Sequence, residues 1–332
     1  MSATYIVLLN YNGWQNTCEC VRSLLFLLPM NTHILICDNN STDKSVEYIR
    51  SWITGKISGC YIPEHLNYED AYNKITLSYK CVKQDENKEE YTQENRSPIT
   101  IIKNKKNIGF SAGNNAGIRY ALKDETCKYL WILNNDTIVR KDTLQALIKK
   151  AETDKSIGIV GSIAYSYYQP DTIQKIGAGF DLSIMDTPIL GAGIPVTELK
   201  NIDVSKCYTY CGASFLLKRS FVETVGLMNE RQFLYFEEEN YTERARRNGY
   251  EIAIAADSVF YHKESVSTKK QGSAFMHYHF MRSMMIFLRD FYPQEVRRLA
   301  VYHICRAIFQ LMKFRFRWGM AILRGIMDGL RA

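Results

Sequence analysis

Tyr5-Ile-Val-Leu-Leu-Asn-Tyr-Asn-Gly13 decides the reading of the chain. An apolar run too short for a helix and containing β-branched residues breaks into a polar turn, which is how a strand buried on both faces ends. The move is repeated. His33–Cys37 runs into Asp38-Asn-Asn-Ser-Thr-Asp43, and Tyr129–Leu133 runs into Asn134-Asn-Asp136, with a further short strand at Ile99–Ile102. Helical patterns fill the intervals at Cys18–Leu28, from Asn39 through Trp52 with Ser41 or Thr42 as N-cap, and at Ser111–Leu122. Strand–helix alternation of this kind predicts an α/β domain with a mostly parallel sheet and helices on both faces. Ligands of such sheets bind beyond the carboxyl ends of the strands, where the polar clusters fall.

Further along, Ser214–Leu217 reads as a strand and Ser220–Val225 as a helix ended by Gly226. Glu238–Asn248 reads as a helix ended by Gly249, and Glu251–Ala255 as a strand. Two stretches break the rhythm. Lys80–Ser97 is polar and reads as a surface insertion, the 80–97 insertion. Ile163–Ser205, rich in Gly, Pro, Asp and Tyr with no clear period, reads as irregular loops and short strands.

The chain has 332 residues, 46% hydrophobic, and a net charge of +7. Phe275–Ala332 carries ten Lys+Arg against three Asp+Glu, so the entire excess lies in the tail and residues 1–274 are neutral. That distribution argues against nucleic acid as a partner, since nucleic-acid binders spread basic charge over a folded face. Nine cysteines without a CxxC pair read as reduced thiols of a cytosolic protein. No secretory signal and no uncharged apolar run of spanning length are expected.

Four clusters and one histidine carry chemistry. Asn10-Tyr-Asn12 and Asp38 follow the first two strands; the Asp38 carboxylate can accept a base imide N–H or a ribose hydroxyl, or it can simply cap the next turn. Asn107-Ile-Gly-Phe-Ser-Ala-Gly-Asn-Asn-Ala-Gly117 places small residues before a helix, where backbone N–H groups approach an anion or where helices pack closely. Asp136, at the end of an apolar strand, offers a hard oxygen ligand to a divalent cation shared with a diphosphate, or else an Asx turn. Phe233-Leu-Tyr-Phe-Glu-Glu-Glu-Asn240 puts three carboxylates at a helix N-terminus beside an apolar wall, suited to a general base or to the helix dipole alone. His262 follows Ser258-Val-Phe-Tyr261.

In this order, from Val7-Leu-Leu-Asn-Tyr-Asn-Gly13 to Tyr261-His262, the clusters resemble the family 2 glycosyltransferases of the GT-A fold, in particular their rhamnosyltransferase-like branch. The resemblance covers about residues 1–290 apart from the insertion. It implies a GT-A catalytic domain over 1–274; the basic excess and helical pattern make 275–332 a basic amphipathic helical tail. It implies that Asn10, Asn12, Asp38, Asn107, Gly109, Phe110, Asn114, Asn134 and Asn135 surround a nucleotide-sugar. Asp136 would be the metal-binding member of the DxD element and His262 the second ligand of Mg²⁺ or Mn²⁺. Glu237-Glu238 would hold the catalytic base, with Glu238 taking the acceptor proton. The chain departs from the family at Asn134, Glu238 and Asn240, where Asp is usual.

The implied reaction is a single inverting displacement from a nucleotide-diphospho-sugar, dTDP-rhamnose or a UDP-sugar, onto a hydroxyl of a surface-polysaccharide or lipid-linked oligosaccharide acceptor. The competing reading is a non-catalytic nucleotide-sugar or glycan-binding protein on the same fold. The tail is expected to be helical from Phe275 with a break at Pro293. Arg306, Lys313, Arg317, Arg324 and Arg331 would form one basic stripe opposite Ile304, Ile308, Leu311, Ile322 and Ile326. With Phe314, Phe316 and Trp318 beside it, this pattern predicts a cytoplasmic protein lying peripherally on the anionic inner face of the cell membrane. The same helix could instead pack its apolar side on the catalytic domain.

Overall fold

A computed structural model describes residues 2–66, 76–83, 97–263 and 272–332. Its first half alternates as the sequence predicts: β1 (Ala3–Asn10), α1 (Trp14–Leu24), β2 (Thr32–Asp38), α2 (Ser45–Ile53), β3 (Tyr79–Lys83), β4 (Ile99–Lys103), α3 (Gly109–Ala121) and β5 (Cys127–Asn134). The second half adds β6 (Thr137–Val139), α4 (Thr143–Ala151), β7 (Ile157–Ser166), β8 (Ile173–Lys175), β12 (Ser214–Lys218), α5 (Arg219–Val225), α6 (Glu237–Arg247) and β13 (Glu251–His262). β9 (Gly177–Ala178), β10 (Ile189–Leu190) and β11 (Thr209–Tyr210) form a small separate antiparallel sheet.

The main sheet runs β3-β4-β2-β1-β5-β12-β7-β13-β6, with β8 on β7. Its first five strands are mutually parallel, β12 is antiparallel to both neighbours, and β7 and β13 are again parallel. Period-two alternation feeds two cores. Ile6, Leu8, Ile34, Ile36, Trp131 and Leu133 face α1, α2 and α4. Val7, Leu35, Leu130 and Ile132 face the side of α3 and α5. Helix α3 sits close on this second face because Gly113 and Gly117 lack side chains: a Cβ at either would run into Leu9 or into Val7 and Cys37. Two of the three glycines in the small-residue stretch thus serve packing.

Several boundaries differ from the expectation. The helix predicted over Cys18–Leu28 ends at Leu24 and tightens into a 3₁₀ turn at Leu25–Met30, closed by Asn31 at φ 55°. Helix α2 begins at Ser45 after Lys44 at φ 61°, not at Ser41 or Thr42, whose polar groups are bonded to Asp38 and Asn12. The insertion expected over 80–97 begins as strand: β3 pairs in parallel with β4 through Lys83. Residues 84–96 lie outside the described residues.

The tail comprises α7 (Ser273–Phe291), a 3₁₀ turn at Pro293–Glu295, α8 (Val296–Met312) and α9 (Phe316–Arg331). The break at Pro293 is as predicted. The continuous stripe from Arg306 to Arg331 is not, because Phe314 at φ 57° separates two helices between Met312 and Phe316. Arg306, Lys313, Arg317, Arg324 and Arg331 are all exposed, but on two helices and their junction. α9 lies tightly on α7, since Gly325 and Gly329 allow its backbone onto Tyr278–Met285. Met284, Met285, Phe287 and Leu288 of α7, Leu299 of α8 and Ile322 and Ile326 of α9 share one core with Phe236. The apolar side is therefore only partly covered: Ile322 and Ile326 are buried while Ile308 is exposed.

Candidate active site

A cleft of about 640 Å³ opens beyond the carboxyl ends of β1 and β5. Asn107, Gly109, Phe110, Asn134, Asn135, Asp136, Glu237, Glu238 and His262 all line it. The structure thus brings together nine residues that are separated by up to 155 positions in the sequence.

Asp136 and His262 meet through sheet pairing. β6 runs antiparallel to the end of β13 with His262 opposite Thr137, and the Lys263 amide donates to the Asp136 carbonyl at 3.0 Å. His262 Nε2 then lies 3.3 Å from Asp136 Oδ1, with both side chains 12% exposed. Burial disfavours the Asp136 carboxylate, but His262, when it is protonated, and Lys263 outweigh it and hold the group below its ordinary pKa. The Nε2 atom is buried and has no hydrogen-bond partner among the described residues. An orphaned imidazole nitrogen beside a buried carboxylate oxygen is a donor set that suits a divalent cation. Among the described residues no third His, Cys, Asp or Glu joins them.

The carboxylate run is placed by two left-handed residues. Tyr235 (φ 71°) and Phe236 (φ 65°) turn the chain sharply into α6, a conformation that costs about 1 kcal/mol or more per non-Gly residue and is concentrated at functional sites. All three glutamates border the cleft, but Glu237 and Glu239 are buried while Glu238 is partly open. Burial, and then the neighbouring Glu238 charge, push the Glu237 carboxyl well above its usual range; the same causes raise Glu239 to about 7. Glu238 rests against Gly212, where any Cβ would overlap its carboxylate. Lys175, from β8, faces the same acids: burial works against its charge, and Glu238 and Glu239 help to keep it an ammonium.

Elsewhere along the cleft, Gly109 (φ 83°) abuts the Phe233 backbone so closely that only glycine fits, and the Phe110 amide donates to the Phe233 carbonyl at 2.8 Å. Asn107 accepts from the Gly109 amide at 3.1 Å, and Asn39 donates to the Gly109 carbonyl at 3.0 Å. The small-residue loop and the aromatic-acidic run therefore hold each other in place.

Asn10, Asn12, Asp38 and Asn114 stand behind this lining. Asp38, 2% exposed, accepts from Asn10 Nδ2 (2.7 Å), Ser41 Oγ (2.6 Å) and the Ser41 amide (3.0 Å). Asn10 Oδ1 accepts from Thr17 (2.8 Å), and Asn12 Oδ1 accepts from the Thr42 amide (2.8 Å). Asn114 Nδ2 donates to the Phe110 carbonyl at 3.1 Å. The neighbours Tyr11 and Asn39, not singled out in the sequence, face the cleft instead. Gln174, Lys175, Thr187 and Gly212 also line it; they come from the irregular stretch and a tight turn, where no periodicity marks them.

The cleft at the strand ends thus joins a buried carboxylate–imidazole pair, a glycine-containing loop and a carboxylate at a helix start. The family model described as glycosyl transferase family 2 matches residues 5–76 and 85–226, and the chain belongs to that family. A curated relative, the low-salt glycan biosynthesis hexosyltransferase Agl10 of Haloferax volcanii, is 24% identical over 196 residues. That match covers 58% of this chain and 61% of the relative. Among solved structures, GalNAc-T7 with UDP, GalNAc and Mn²⁺ superposes with TM-score 0.58 at 14% identity, covering 96% of this chain and 56% of that one. S. aureus TarS 1-349 with UDP-GlcNAc superposes with TM-score 0.54 at 12% identity, covering 99% and 81%. The fold is GT-A-like.

Proposed function

We propose that the protein is an inverting, metal-dependent hexosyltransferase that moves rhamnose or a hexose from a nucleotide diphosphate, dTDP-rhamnose or a UDP-sugar, to an acceptor hydroxyl. The observation that carries this reading is the convergence on one cleft of the Asp136–His262 pair, the Asn107–Phe110 loop and Glu238. Asp136 and His262 would hold Mg²⁺ or Mn²⁺, which when bound supplies positive charge to a departing diphosphate. The Asn107–Phe110 loop and Asn134–Asn135 line the donor's place, with Asn10, Asn12, Asp38 and Asn114 bracing them from behind. Glu238 accepts the proton of the acceptor hydroxyl as that oxygen bonds to the anomeric carbon and the bond to diphosphate breaks. One displacement inverts the configuration. Glu237 is less suited to be the base, because it is buried while Glu238 is partly open to the cleft. A panel of nucleotide sugars read by thermal shift, with and without Mn²⁺, tests the assignment. One donor class should raise Tm by several degrees only with Mn²⁺ present; an equal response in EDTA would contradict it.

The proposal treats residues 1–274 as the catalytic unit and 275–332 as a helical cap that brings it to a membrane bearing a lipid-linked acceptor. No helix among the described residues is long and apolar enough to cross a membrane. The junction of α8 and α9, however, presents Met312 at 72% and Phe314 at 82% exposure, with Phe316, amid Lys313, Arg315 and Arg317. Apolar tips ringed by basic residues suit an anionic interface. A groove of about 700 Å³ between α7 and α9, lined by Arg317, Arg324, Phe316 and Met320, shares Phe275 with the catalytic cleft, which favours a lipid-linked acceptor over a soluble one. Sedimentation with liposomes containing phosphatidylglycerol should carry the protein down and weaken with salt. The double substitution Phe314→Ser, Phe316→Ser should reduce it about tenfold or more; equal sedimentation of the variant would remove the tip from the account.

A further inference from the structure

Gln174 is the middle residue of β8, which pairs with β7 through Tyr165↔Ile173 and Ala164↔Lys175. On its other edge β7 pairs with β13, with Ser166 opposite His262. This register carries the Gln174 side chain to His262, where it makes two contacts. Its Nε2 donates to the His262 backbone carbonyl at 3.2 Å, and its Oε1 lies 2.6 Å from His262 Nδ1.

These contacts fix one another. A backbone carbonyl only accepts, so the amide end facing it must be the NH₂ group. The other end, Oε1, also only accepts, so the ring nitrogen facing it must carry hydrogen. In the neutral imidazole a proton on Nδ1 leaves Nε2 with a lone pair. Nε2 is the buried atom without a hydrogen-bond partner, and it lies 3.3 Å from Asp136 Oδ1. Two acceptors then face each other across a gap in the cleft wall, an arrangement that a cation between or beside them relieves.

We propose that Gln174 is a positioning residue that locks His262 in the Nδ1–H form, so that its Nε2 lone pair is aimed at the metal position beside Asp136; the metal itself rests on the reading proposed above. The backbone-anchored amide also fixes the ring plane, since both ends of Gln174 are tied to the one residue. A side chain of equal length without the acceptor frees the ring to turn or to move its proton to Nε2, which turns the ligand atom into a donor. Groups that orient a ligating histidine through its second nitrogen typically change metal affinity by about 10- to 100-fold when removed.

The test uses the full chain at pH 8 and the variants Gln174→Leu and Gln174→Glu. ¹⁵N NMR of the histidine rings, assigned by comparison with His262→Gln, reads the tautomer without any metal, and EPR of free Mn²⁺ reads metal affinity. The wild-type His262 ring should be protonated on Nδ1. Gln174→Leu should lose that preference and bind Mn²⁺ about 10- to 100-fold more weakly, and Gln174→Glu, which keeps an acceptor for Nδ1 but loses the donor to the His262 carbonyl, should retain the Nδ1–H form. A wild-type ring protonated on Nε2, or Gln174→Leu with unchanged tautomer and affinity, overturns the inference. The arms separate its failure from that of the metal reading. If wild type binds no Mn²⁺, the metal reading falls and the proposed role toward a metal falls with it, even when the NMR shows the ring locked. If Mn²⁺ binds and Asp136→Asn weakens it while the ring is unlocked, only the role of Gln174 falls. A Gln174→Leu protein that does not fold leaves the wild-type tautomer and the Gln174→Glu variant to decide.

Discussion

Two polar regions lie within the same cleft wall and are built on opposite terms. Beneath the ends of β1 and β2, Asn10, Asp38, Ser41, Thr17 and Asn12 bond one another, and Asp38 uses both oxygens on protein donors. Along the ends of β6 and β13 and the start of α6, polar atoms go unmatched: His262 Nε2, Glu237 Oε1 and both amide atoms of Asn240 have no partner among the described residues. Buried polar groups are satisfied in native proteins unless a ligand or strain accounts for them. On the function proposed above, the saturated region is scaffold and the unsaturated one is where substrate and cation would complete the structure. Left-handed residues occur in both regions, Asn12, Asn40 and Lys44 beside the saturated one and Tyr235 and Phe236 at the unsaturated edge.

The contrast can be broken by one substitution on each side. Asp38→Ala strands Asn10 Nδ2 and the Ser41 amide and hydroxyl in the interior and should cost about 3 kcal/mol, read as a lower midpoint in urea. Glu238→Gln should cost less than about 1 kcal/mol or even stabilise, because it removes a negative charge that burdens the buried carboxyls of Glu237 and Glu239 and keeps the shape. Equal losses in the two variants would erase the distinction between scaffold and site.

A smaller effect concerns the tail. His303 of α8 is 2% exposed, and burial, then Arg306, lowers its pKa to about 4. A folded-state value below the ordinary 6.5 means that the native protein resists the proton. Its stability contribution is complete above about pH 6.5 and is lost as pH falls towards 4, about 2 kcal/mol by pH 5. Tm measured between pH 7.5 and 5 should fall more steeply for wild type than for His303→Phe. Parallel slopes would show that His303 is solvated.

The strands were legible because short apolar runs end in Asn, Asp and Gly, a pattern local to each segment. The same polar ends marked Asp136, Asn107 and Gly109, and the acidic run marked Glu238. Asp38 and Asn39 were not separable, since adjacent residues at a strand end point to opposite sides and the sequence does not say which side is open. Gln174 gave no signal: β8 is three residues long, and its meaning comes from register across β7 and β13. The basic stripe of the tail assumed one helix, and neither Gly nor Pro announces the turn at Phe314.

The central claim is that the unsaturated edge performs glycosyl transfer with a cation. Donor turnover measured with the nucleotide sugar selected by thermal shift, in Mn²⁺, in excess EDTA, and in Mn²⁺ with Glu238→Gln, tests it most directly. Wild type should turn over only with Mn²⁺, and Glu238→Gln should bind donor yet transfer about 10²- to 10⁴-fold more slowly. Full turnover in EDTA, or an undiminished Glu238→Gln rate, would contradict the account.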